Sequence, residues 1–287
     1  MAATVYFERQ CARRPDSDSP SGRCLEPGSF THILTRMNKP QEPARDPGDD
    51  YRQSHLQRGA TYDATIAADP FDAYMAQFER AYLLDAIPRL FPVAKPRYLD
   101  FACGTGRITQ TVAPLCAEAV GVDVSPSMLA EARIKCPSVR FVEADITKST
   151  ADLGVFDLVT SFRFFGNAQQ ELRVAVLGAL YRLLRPDGYL VINSHRNPQS
   201  LAALLNSLTG GGDHGMDLHY FKLKRLLRAS GFEIVHSRPV GVWMYRHKLL
   251  QFARLGSAQS TRMEALFKHE SFTPIAPDAV IVAKKAG

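Results

Sequence analysis

Strand-like and helix-like segments alternate between residues 97 and 194, and this pattern restricts the fold more than any other feature. Two further strand-like segments lie closer to the end of the chain. The predicted strands are 97–101, 119–124, 139–143, 156–161, 189–194, 232–237 and 279–284. Strands that alternate with helices form parallel sheets, because each helix carries the chain back across one face. The sequence therefore predicts an α/β fold, with a doubly wound, mostly parallel seven-stranded sheet and helices on both faces.

The regions outside this alternation have a different composition. Residues 1–59 are rich in Pro, Ser, Asp and Arg and have no sustained hydrophobic period, so we predict a disordered or flexible extension there. One folded domain is predicted over 60–287. Near its end, an insertion at about 240–277 is expected to be mostly helical over Trp243–His269 and to shape a substrate pocket.

Composition and charge exclude several classes of protein. Every long apolar run is interrupted by charge before about 18 residues, so no membrane-spanning helix is predicted. Five irregularly spaced cysteines and no secretory leader favour a reducing compartment and a cytoplasmic location. The net charge of +6 is concentrated in Lys222–Gly287, which has 12 basic and 4 acidic residues. Such a stretch is either a solvated basic face or a site for an anionic substrate, a phosphate group or a membrane surface.

The sharpest motif is the turn that follows the first predicted strand, Asp100-Phe101-Ala102-Cys103-Gly104-Thr105-Gly106. Its glycines let the backbone turn tightly and approach a ligand at positions where a Cβ would clash. A nicotinamide-binding turn would carry a third glycine three residues further on, and this chain has none there. Asp100 would repel a pyrophosphate, whereas it suits a cationic ligand that bears an amine.

This turn resembles motif I of the class I S-adenosylmethionine-dependent methyltransferases, in which an acid and three residues precede Gly-x-Gly. The strand that ends at Asp123 is similar to the family's second element, whose acid binds the two ribose hydroxyls. Residues 141–146 are similar to the third motif, in which Asp145 receives the adenine amino group and Ile146 packs on the ring. Residues 183–190 are similar to the family's turn into the fifth strand.

The resemblance covers residues 98–192 and implies a Rossmann-like fold with an S-adenosylmethionine site in the half of the domain at about 97–194. Many members have glycine where this chain has Ala102, a departure that weakens the expected backbone approach at that point. The cofactor residues implied are Asp100, Ala102, Gly104, Gly106, Asp123, Val124, Met128, Asp145, Ile146 and Ser161. No metal ligands are expected.

The candidate substrate and catalytic residues follow the fourth and fifth strands, since open α/β sheets bind ligands beyond the carboxyl ends of their strands. Methyl transfer mainly requires that the acceptor be held in line, so a catalytic base is not obligatory. Arg163 lies in an apolar loop, where an uncompensated guanidinium would bind an anion or form a structural salt bridge. His195 is a candidate general base or a loop-capping side chain.

A helix is predicted over 62–90, with Pro88 and Pro92 breaking the pattern before the first strand. The family often places an N-terminal helix over the cofactor. Tyr62 and Tyr74 occupy that part of this chain, although core packing is the favoured role for Tyr74.

The sequence favours methyl transfer to a small or medium-sized acceptor that is anionic or carrier-linked, such as a sugar, a lipid or a secondary metabolite. An RNA or protein methyltransferase is the first alternative, although no Asn/Asp/Ser-Pro-Pro-Tyr/Phe tetrapeptide follows the fourth strand and no nucleic-acid partner is expected. A non-catalytic scaffold that binds S-adenosylmethionine is the second alternative. Peripheral membrane contact and the oligomeric state stay open.

Overall fold

The computed structural model describes residues 59–150, 153–208, 218–243 and 255–286. The predicted extension before Gly59, the glycine run Gly210–Gly212 and residues 244–254 of the predicted insertion lie outside these ranges. The described helices are α1 (Gly59–Ala68), α2 (Pro70–Leu90), α3 (Arg107–Val112), α4 (Pro126–Lys135), α5 (Gln170–Leu183), α6 (Leu201–Leu208), α7 (Tyr220–Ala229) and α8 (Ala258–Leu266). The described strands are β1 (Arg97–Phe101), β2 (Glu118–Asp123), β3 (Arg140–Glu143), β4 (Phe156–Ser161), β5 (Leu184–Ser194), β6 (Phe232–Val240) and β7 (Asp278–Lys285).

These strands form a seven-stranded sheet in the order β3-β2-β1-β4-β5-β7-β6. Strands β1 to β5 pair in parallel, and β7 runs antiparallel to both β5 and β6. The predicted mostly parallel sheet is therefore confirmed. The strand order reverses direction between β1 and β4, and such a switch leaves a crevice at the carboxyl ends of the strands.

Apolar clusters cover both faces of the sheet. One joins Leu99 and Ile192 of the sheet to side chains of α5 and α7, and the other joins Tyr98 and Val191 to α2. Tyr74 belongs to the second cluster, in the core position that the sequence favours for it. Burial on both faces holds the strand ends rigidly, so the loops that follow them are displayed on a fixed frame.

The predicted helix over 62–90 is divided into α1 and α2 at Asp69. The Asp69 carboxylate accepts hydrogen bonds from the backbone N–H groups of Phe71 and Asp72, at 2.9 and 3.1 Å, and Pro70 occupies the first helical position. This N-cap is a strong signal for the start of a new helix, because it satisfies backbone N–H groups that the first turn of a helix leaves unpaired. The predicted end of the helix at Leu90 is confirmed, and Pro88 lies in the last turn of α2, where it removes only one helical hydrogen bond.

Two other boundaries differ from the predictions. Strand β5 begins at Leu184, and residues 185–188 form an irregularity in it, since Phe156 pairs with Leu184 while Leu158 pairs with Tyr189. The predicted turn is therefore a bulge within the strand, with Asp187 at a φ of 62°. In the predicted insertion, the described residues contain one α-helix, α8, followed by a short 3₁₀ helix at Glu270–Ile275.

Candidate functional site

A cavity of about 920 Å³, counting the space at its mouth, opens at the carboxyl ends of β1, β2 and β4. Its lining includes these predicted residues: Asp100, Ala102, Gly104, Asp123, Val124, Met128, Asp145, Ile146 and Arg163. Gly106, Ser161 and His195 are not part of the lining.

The turn after β1 forms the floor of the cavity through left-handed backbone at Ala102, Gly104 and Gly106, with φ values of 54°, 53° and 78°. A Cβ at Gly104 would meet no atom closer than the Met128 Sδ at 4.0 Å, so the backbone there faces open space. A Cβ at Gly106 would lie 3.2 Å from the Ala132 Cβ, so this glycine allows α3 to pack against α4. Alanine in place of glycine at 102 costs roughly 1 kcal/mol of backbone strain.

Asp123, at the end of β2, presents its carboxylate to the cavity beside this turn. Its Oδ2 accepts the backbone N–H of Gly104 at 2.8 Å, and its Oδ1 accepts that of Ser125 at 2.9 Å. Burial raises its pKa, and these backbone donors oppose the rise. Each carboxylate oxygen can accept more than one hydrogen bond, so a pair of adjacent hydroxyls can still be bound.

Asp100 lies deeper, at the base of the cavity. Its Oδ2 accepts from the hydroxyl of Thr109 at 2.6 Å and its Oδ1 from that of Thr160 at 2.8 Å. Burial raises the pKa of Asp100 to about 6, opposed by these hydrogen bonds and by the charge of Arg107. A cation placed next to Asp100 would favour its ionised form.

One end of the cavity combines a carboxylate with apolar walls. Asp145 follows β3, and its Oδ1 accepts both the backbone N–H and the hydroxyl of Thr147, at 3.0 and 2.6 Å. Ile146 is buried next to it, and Val124 and Met128 line the same cavity. This combination suits a flat heteroaromatic ring that carries an amino group.

Helix α1 also borders the cavity, next to the motif turn and the start of α4. Tyr62 of α1 lines the cavity. The neighbouring Asp63 accepts a hydrogen bond from the Thr105 hydroxyl at 2.7 Å and forms an ion pair with Lys135 of α4. A Cβ at Gly59 would lie 2.2 Å from the Ser127 carbonyl oxygen, so the start of α1 sits directly on the start of α4. Helix α1 thus packs over the turn that follows β1.

Arg163 reaches the cavity from the loop after β4, beside α2. Its Nη1 lies 3.2 Å from the Asp72 Oδ2, and its Nη2 donates to the Asp72 carbonyl oxygen at 3.3 Å. Its backbone adopts a φ of 60° and donates from N–H to the Asn193 Oδ1 at 2.7 Å. The guanidinium is therefore not uncompensated, because α2 supplies a carboxylate that periodicity alone could not place beside it.

His195 is buried behind this pair rather than exposed in the cavity. Its Nδ1 lies 2.7 Å from the Asp278 Oδ1, and its Nε2 lies 3.7 Å from the Asp72 Oδ1. Ser161 is also fully buried, one residue before the Phe162 that lines the cavity. The structure thus places His195 where it can orient Asp72 and does not bring it to the ligand space.

Sequence reasoning missed the two arginine–carboxylate pairs that α2 makes at this edge. Arg107 follows the glycine motif directly and lines the cavity, and its Nη2 lies 2.8 Å from the Glu79 Oε2. A charged residue in the middle of an otherwise apolar helical face is a signal for Glu79, but its partner is visible only in three dimensions. Among the described residues, no cluster of His, Cys, Asp and Glu could hold a metal ion, and no helix is long and apolar enough to cross a membrane.

Comparisons with known proteins agree with this geometry. A family described as "Methyltransferase domain" matches residues 99–188. The demethylmenaquinone methyltransferase of Thermus thermophilus is 42% identical over 106 residues, which are 34% of this chain and 47% of that protein. The ubiquinone biosynthesis O-methyltransferase of Xanthomonas oryzae pv. oryzae is 28% identical over 178 residues, which are 58% of this chain and 70% of that protein. The match to the first of these relatives thus spans about half its length.

Among solved structures, the magnesium protoporphyrin IX methyltransferase of Synechocystis PCC 6803 with bound S-adenosylhomocysteine superposes with a TM-score of 0.55. It covers 83% of this chain and 100% of its own, at 16% sequence identity. This likeness is one of fold.

Proposed function

We propose that this chain, which belongs to the class I S-adenosylmethionine-dependent methyltransferases, transfers a methyl group from S-adenosylmethionine to a small or medium-sized organic acceptor. The observation that carries this proposal is the placement of Asp100, Asp123 and Asp145 around one cavity. They lie at or just beyond the carboxyl ends of three adjacent parallel strands, β1, β2 and β3, which meet at this edge.

The residues present fit the cofactor. Asp123 would accept the ribose hydroxyls, and Asp145 the adenine amino group, while Ile146 and Met128 pack on the ring. Asp100 would face the ammonium group, since a buried carboxylate with a raised pKa gains from a nearby cation. When bound, the cofactor supplies a methyl group activated by a sulfonium leaving group.

The chain's own contribution to the reaction is to position the acceptor and exclude water. Four apolar side chains line the cavity beyond Asp100: Phe162, Phe164, Leu172 and Val176. They enclose an apolar molecule and leave little room for solvent near the reacting atoms. His195, the candidate general base, is not part of this lining, which supports a mechanism based on alignment rather than on a dedicated general base.

The acceptor that fits best has an apolar body and one negatively charged or carrier-linked group. Arg163 lines the cavity and has five N–H donors, of which the contacts to Asp72 occupy only part. Because Asp72 neutralises much of its charge, the apolar walls set the shape of the acceptor and Arg163 adds selectivity. The two relatives described above are named demethylmenaquinone methyltransferase and ubiquinone biosynthesis O-methyltransferase, and an aromatic ring would suit these walls.

Isothermal titration against S-adenosylmethionine, S-adenosylhomocysteine and a nicotinamide dinucleotide tests the cofactor. We expect binding of the first two only. A methyl-transfer screen should then offer phenols, amines, sugars and lipids, each with and without a carboxylate or phosphate. Methylation of RNA or protein in preference to every small acceptor would contradict the proposal, and so would cofactor binding with no transfer to any acceptor.

Arg163→Leu tests the acceptor's charge. We expect it to raise KM for the charged member of an acceptor pair several-fold more than for the neutral one, because it removes the planar donors. Arg185→Leu is the matched control, since Arg185 pairs with Asp157 on the surface at 2.9 Å and lies outside the cavity lining. Equal effects of Arg163→Leu on both acceptors would refute the proposal that the acceptor carries an anionic group.

A further inference from the structure

Helix α6 presents its leucines to the outside of the protein. Leu201, Leu204 and Leu208 are 40%, 57% and 77% exposed, and their spacing of three and four residues places them on one side of the helix. The small side chain of Ala202 is buried instead, and the helix contains no charged residue. A helix that packs on a core normally buries its larger apolar side chains, so this arrangement is the reverse of ordinary amphipathic packing.

Helix α7 carries a row of cations around an exposed aromatic ring. Its leucines are buried in the core, and the helical period places Phe221, Lys224, Arg225 and Arg228 together on the other side. Phe221 is 56% exposed, and both arginines are exposed as well. The helix has no acidic residue, and within the described ranges Lys224, Arg225 and Arg228 form no ion pair. These cations are therefore available to an external partner.

Both helices begin at the edge of the sheet where the cavity opens. Helix α6 follows the carboxyl end of β5, and the Ser200 Oγ caps it by accepting the Ala203 N–H at 3.1 Å. Helix α7 leads into β6, which runs in the same direction as β5, so α7 starts near the carboxyl edge. Tyr220, at its start, belongs to the same apolar cluster as Phe164 and Leu172, which line the cavity.

Exposed leucines and unpaired cations at one edge match the two layers of an anionic bilayer surface. Apolar side chains are stabilised at the boundary of the acyl chains, and Lys and Arg are attracted to anionic headgroups. A second copy of this chain would bring two faces of like charge together. A nucleic acid would bind the cations through its phosphates and leave the leucines in water. The bilayer is the partner that satisfies both helices.

We propose that α6 and α7 form a docking surface for an anionic lipid bilayer. The leucines of α6 and Phe221 enter the boundary of the acyl chains, and Lys224, Arg225 and Arg228 contact the headgroups. This surface goes beyond the proposed methyl transfer and does not depend on it. Docking at this edge would bring the cavity close to an apolar acceptor dissolved in the bilayer.

Vesicle flotation with the full-length protein tests the docking surface. One set of vesicles contains phosphatidylcholine alone, and the other contains phosphatidylcholine mixed with phosphatidylglycerol. We expect binding to the anionic vesicles to be about 10- to 100-fold tighter, since each cation near such a surface contributes about fivefold. This preference should decrease as salt is added, because the charges are exposed.

Two double variants separate the apolar contribution from the charged one. Leu204→Gln combined with Leu208→Gln should weaken binding to the anionic vesicles by about tenfold or more, because it removes apolar surface that the bilayer would bury. Arg225→Gln combined with Arg228→Gln should weaken it by about 10- to 30-fold and remove most of the preference for anionic lipid. Both variants change exposed side chains, so melting temperature and affinity for S-adenosylhomocysteine should stay at the wild-type values.

Matched controls remove the same kinds of group from other surfaces. Helix α8 packs through Met263 on the opposite face of the sheet from α7. Leu266 of α8 and Ile134 of α4 are 70% and 75% exposed, and Arg262 and Lys268 are exposed too. Leu266→Gln combined with Ile134→Gln, and Arg262→Gln combined with Lys268→Gln, should each leave vesicle binding within about twofold of the wild type.

The proposal is supported if the leucine and arginine variants both lose binding to the anionic vesicles while the controls keep it. It is overturned if the wild type does not prefer these vesicles, or if the controls lose binding equally. Loss in the arginine variant alone would show a general anion-binding face and no insertion of the leucines, which also overturns it.

Two other partners would contradict the bilayer assignment. Analytical ultracentrifugation that showed a dimer in the wild type and a monomer in the leucine variant would assign the leucines to self-association. Tighter binding to single-stranded RNA than to the anionic vesicles would assign the cations to nucleic acid. Cofactor binding is measured separately, so each of these results leaves the proposed methyl transfer standing.

Discussion

The two ends of the cavity are built in different ways. At the nucleoside end, Asp123 and Asp145 each come from the end of a strand, and the two strands are neighbours in the chain and in the sheet. At the opposite end, Arg163 and Arg107 contact carboxylates of α2 that are 91 and 28 positions away in the chain. The arrangement of the nucleoside end follows from the local sequence, whereas that of the opposite end depends on how α2 packs against the sheet.

This difference implies that the two ends respond differently to substitution. Changes at the nucleoside end should remove individual hydrogen bonds and leave the fold intact. Changes at the α2 end should alter the position of neighbouring groups as well.

Asp123→Ala should give the largest effect on cofactor affinity. It removes both expected ribose acceptors and a bond to the Gly104 N–H, at a cost on the order of 2 kcal/mol or more, about 30-fold in Kd. Calorimetry with S-adenosylhomocysteine measures the loss. Asp187→Ala, at an exposed aspartate that pairs with Lys284, is the control. Unchanged affinity in Asp123→Ala would refute the assignment of the nucleoside end.

Cofactor affinity should fall at acid pH through Asp100, which lies between the two ends. The folded protein without ligand has its Asp100 pKa raised to about 6, so this carboxyl is mostly neutral below that pH. A cationic ligand prefers the ionised form, and its affinity should decrease by up to about tenfold between pH 7 and pH 5. Asp100→Asn should flatten this profile. An unaltered profile in Asp100→Asn would assign the pH dependence to another group.

The raised pKa of Asp100 affects the stability of the free protein in the opposite direction, because stability increases where cofactor affinity decreases. A raised carboxyl pKa means that folding opposes ionisation, so Asp100 destabilises the free protein at neutral pH. This penalty is relieved as the pH falls through about 6. Thermal unfolding of wild type and Asp100→Asn at pH 5 and pH 7.5 should show a smaller difference between the two proteins at the lower pH. A larger difference at pH 5 than at pH 7.5 would contradict the expected pH dependence of the Asp100 contribution to stability.

Asp63→Ala, in α1, should have a moderate effect on ligand release. It removes the hydrogen bond from Thr105 and the ion pair with Lys135, contacts that are partly exposed and together worth about 1 kcal/mol. We expect a several-fold faster dissociation of S-adenosylhomocysteine with little change in melting temperature, measured by stopped-flow fluorescence. Asp85→Ala, which breaks an exposed pair on α2, is the control. Equal dissociation rates in Asp63→Ala and wild type would show that α1 does not retain the ligand.

Removal of residues 1–49 should have the smallest effect. Their composition offers little apolar surface to offset the loss of chain entropy, so we propose that the folded domain begins near residue 60. A chain that starts at Asp50 should keep its melting temperature within roughly a degree or two of the full-length value, measured by calorimetry. A large decrease would show that the removed segment contributes to the fold.

The sequence predicted the sheet well because each strand and helix has its own local signal. The carboxylates at or just after the ends of β1, β2 and β3 could be placed at one edge, since parallel strands share an edge at their carboxyl ends. Periodicity could not predict the partners of Arg163 and His195, because it fixes which face of a helix is apolar but not where that helix docks. Asp72 is an ordinary first-turn acid in the sequence, and only the packing of α2 places it beside Arg163.

The boundary between α1 and α2 separates access to the cavity from the stability of the sheet, two properties that usually change together. Only Asp69 lies between the helices, and α2 alone is anchored deeply in the core. A rotation at this residue would uncover the cavity while every hydrogen bond of the sheet stayed intact. If such a rotation limited release, ligand residence time would be set by how often the contacts of Asp63 with Thr105 and Lys135 open, and chemically different nucleosides would leave at similar rates.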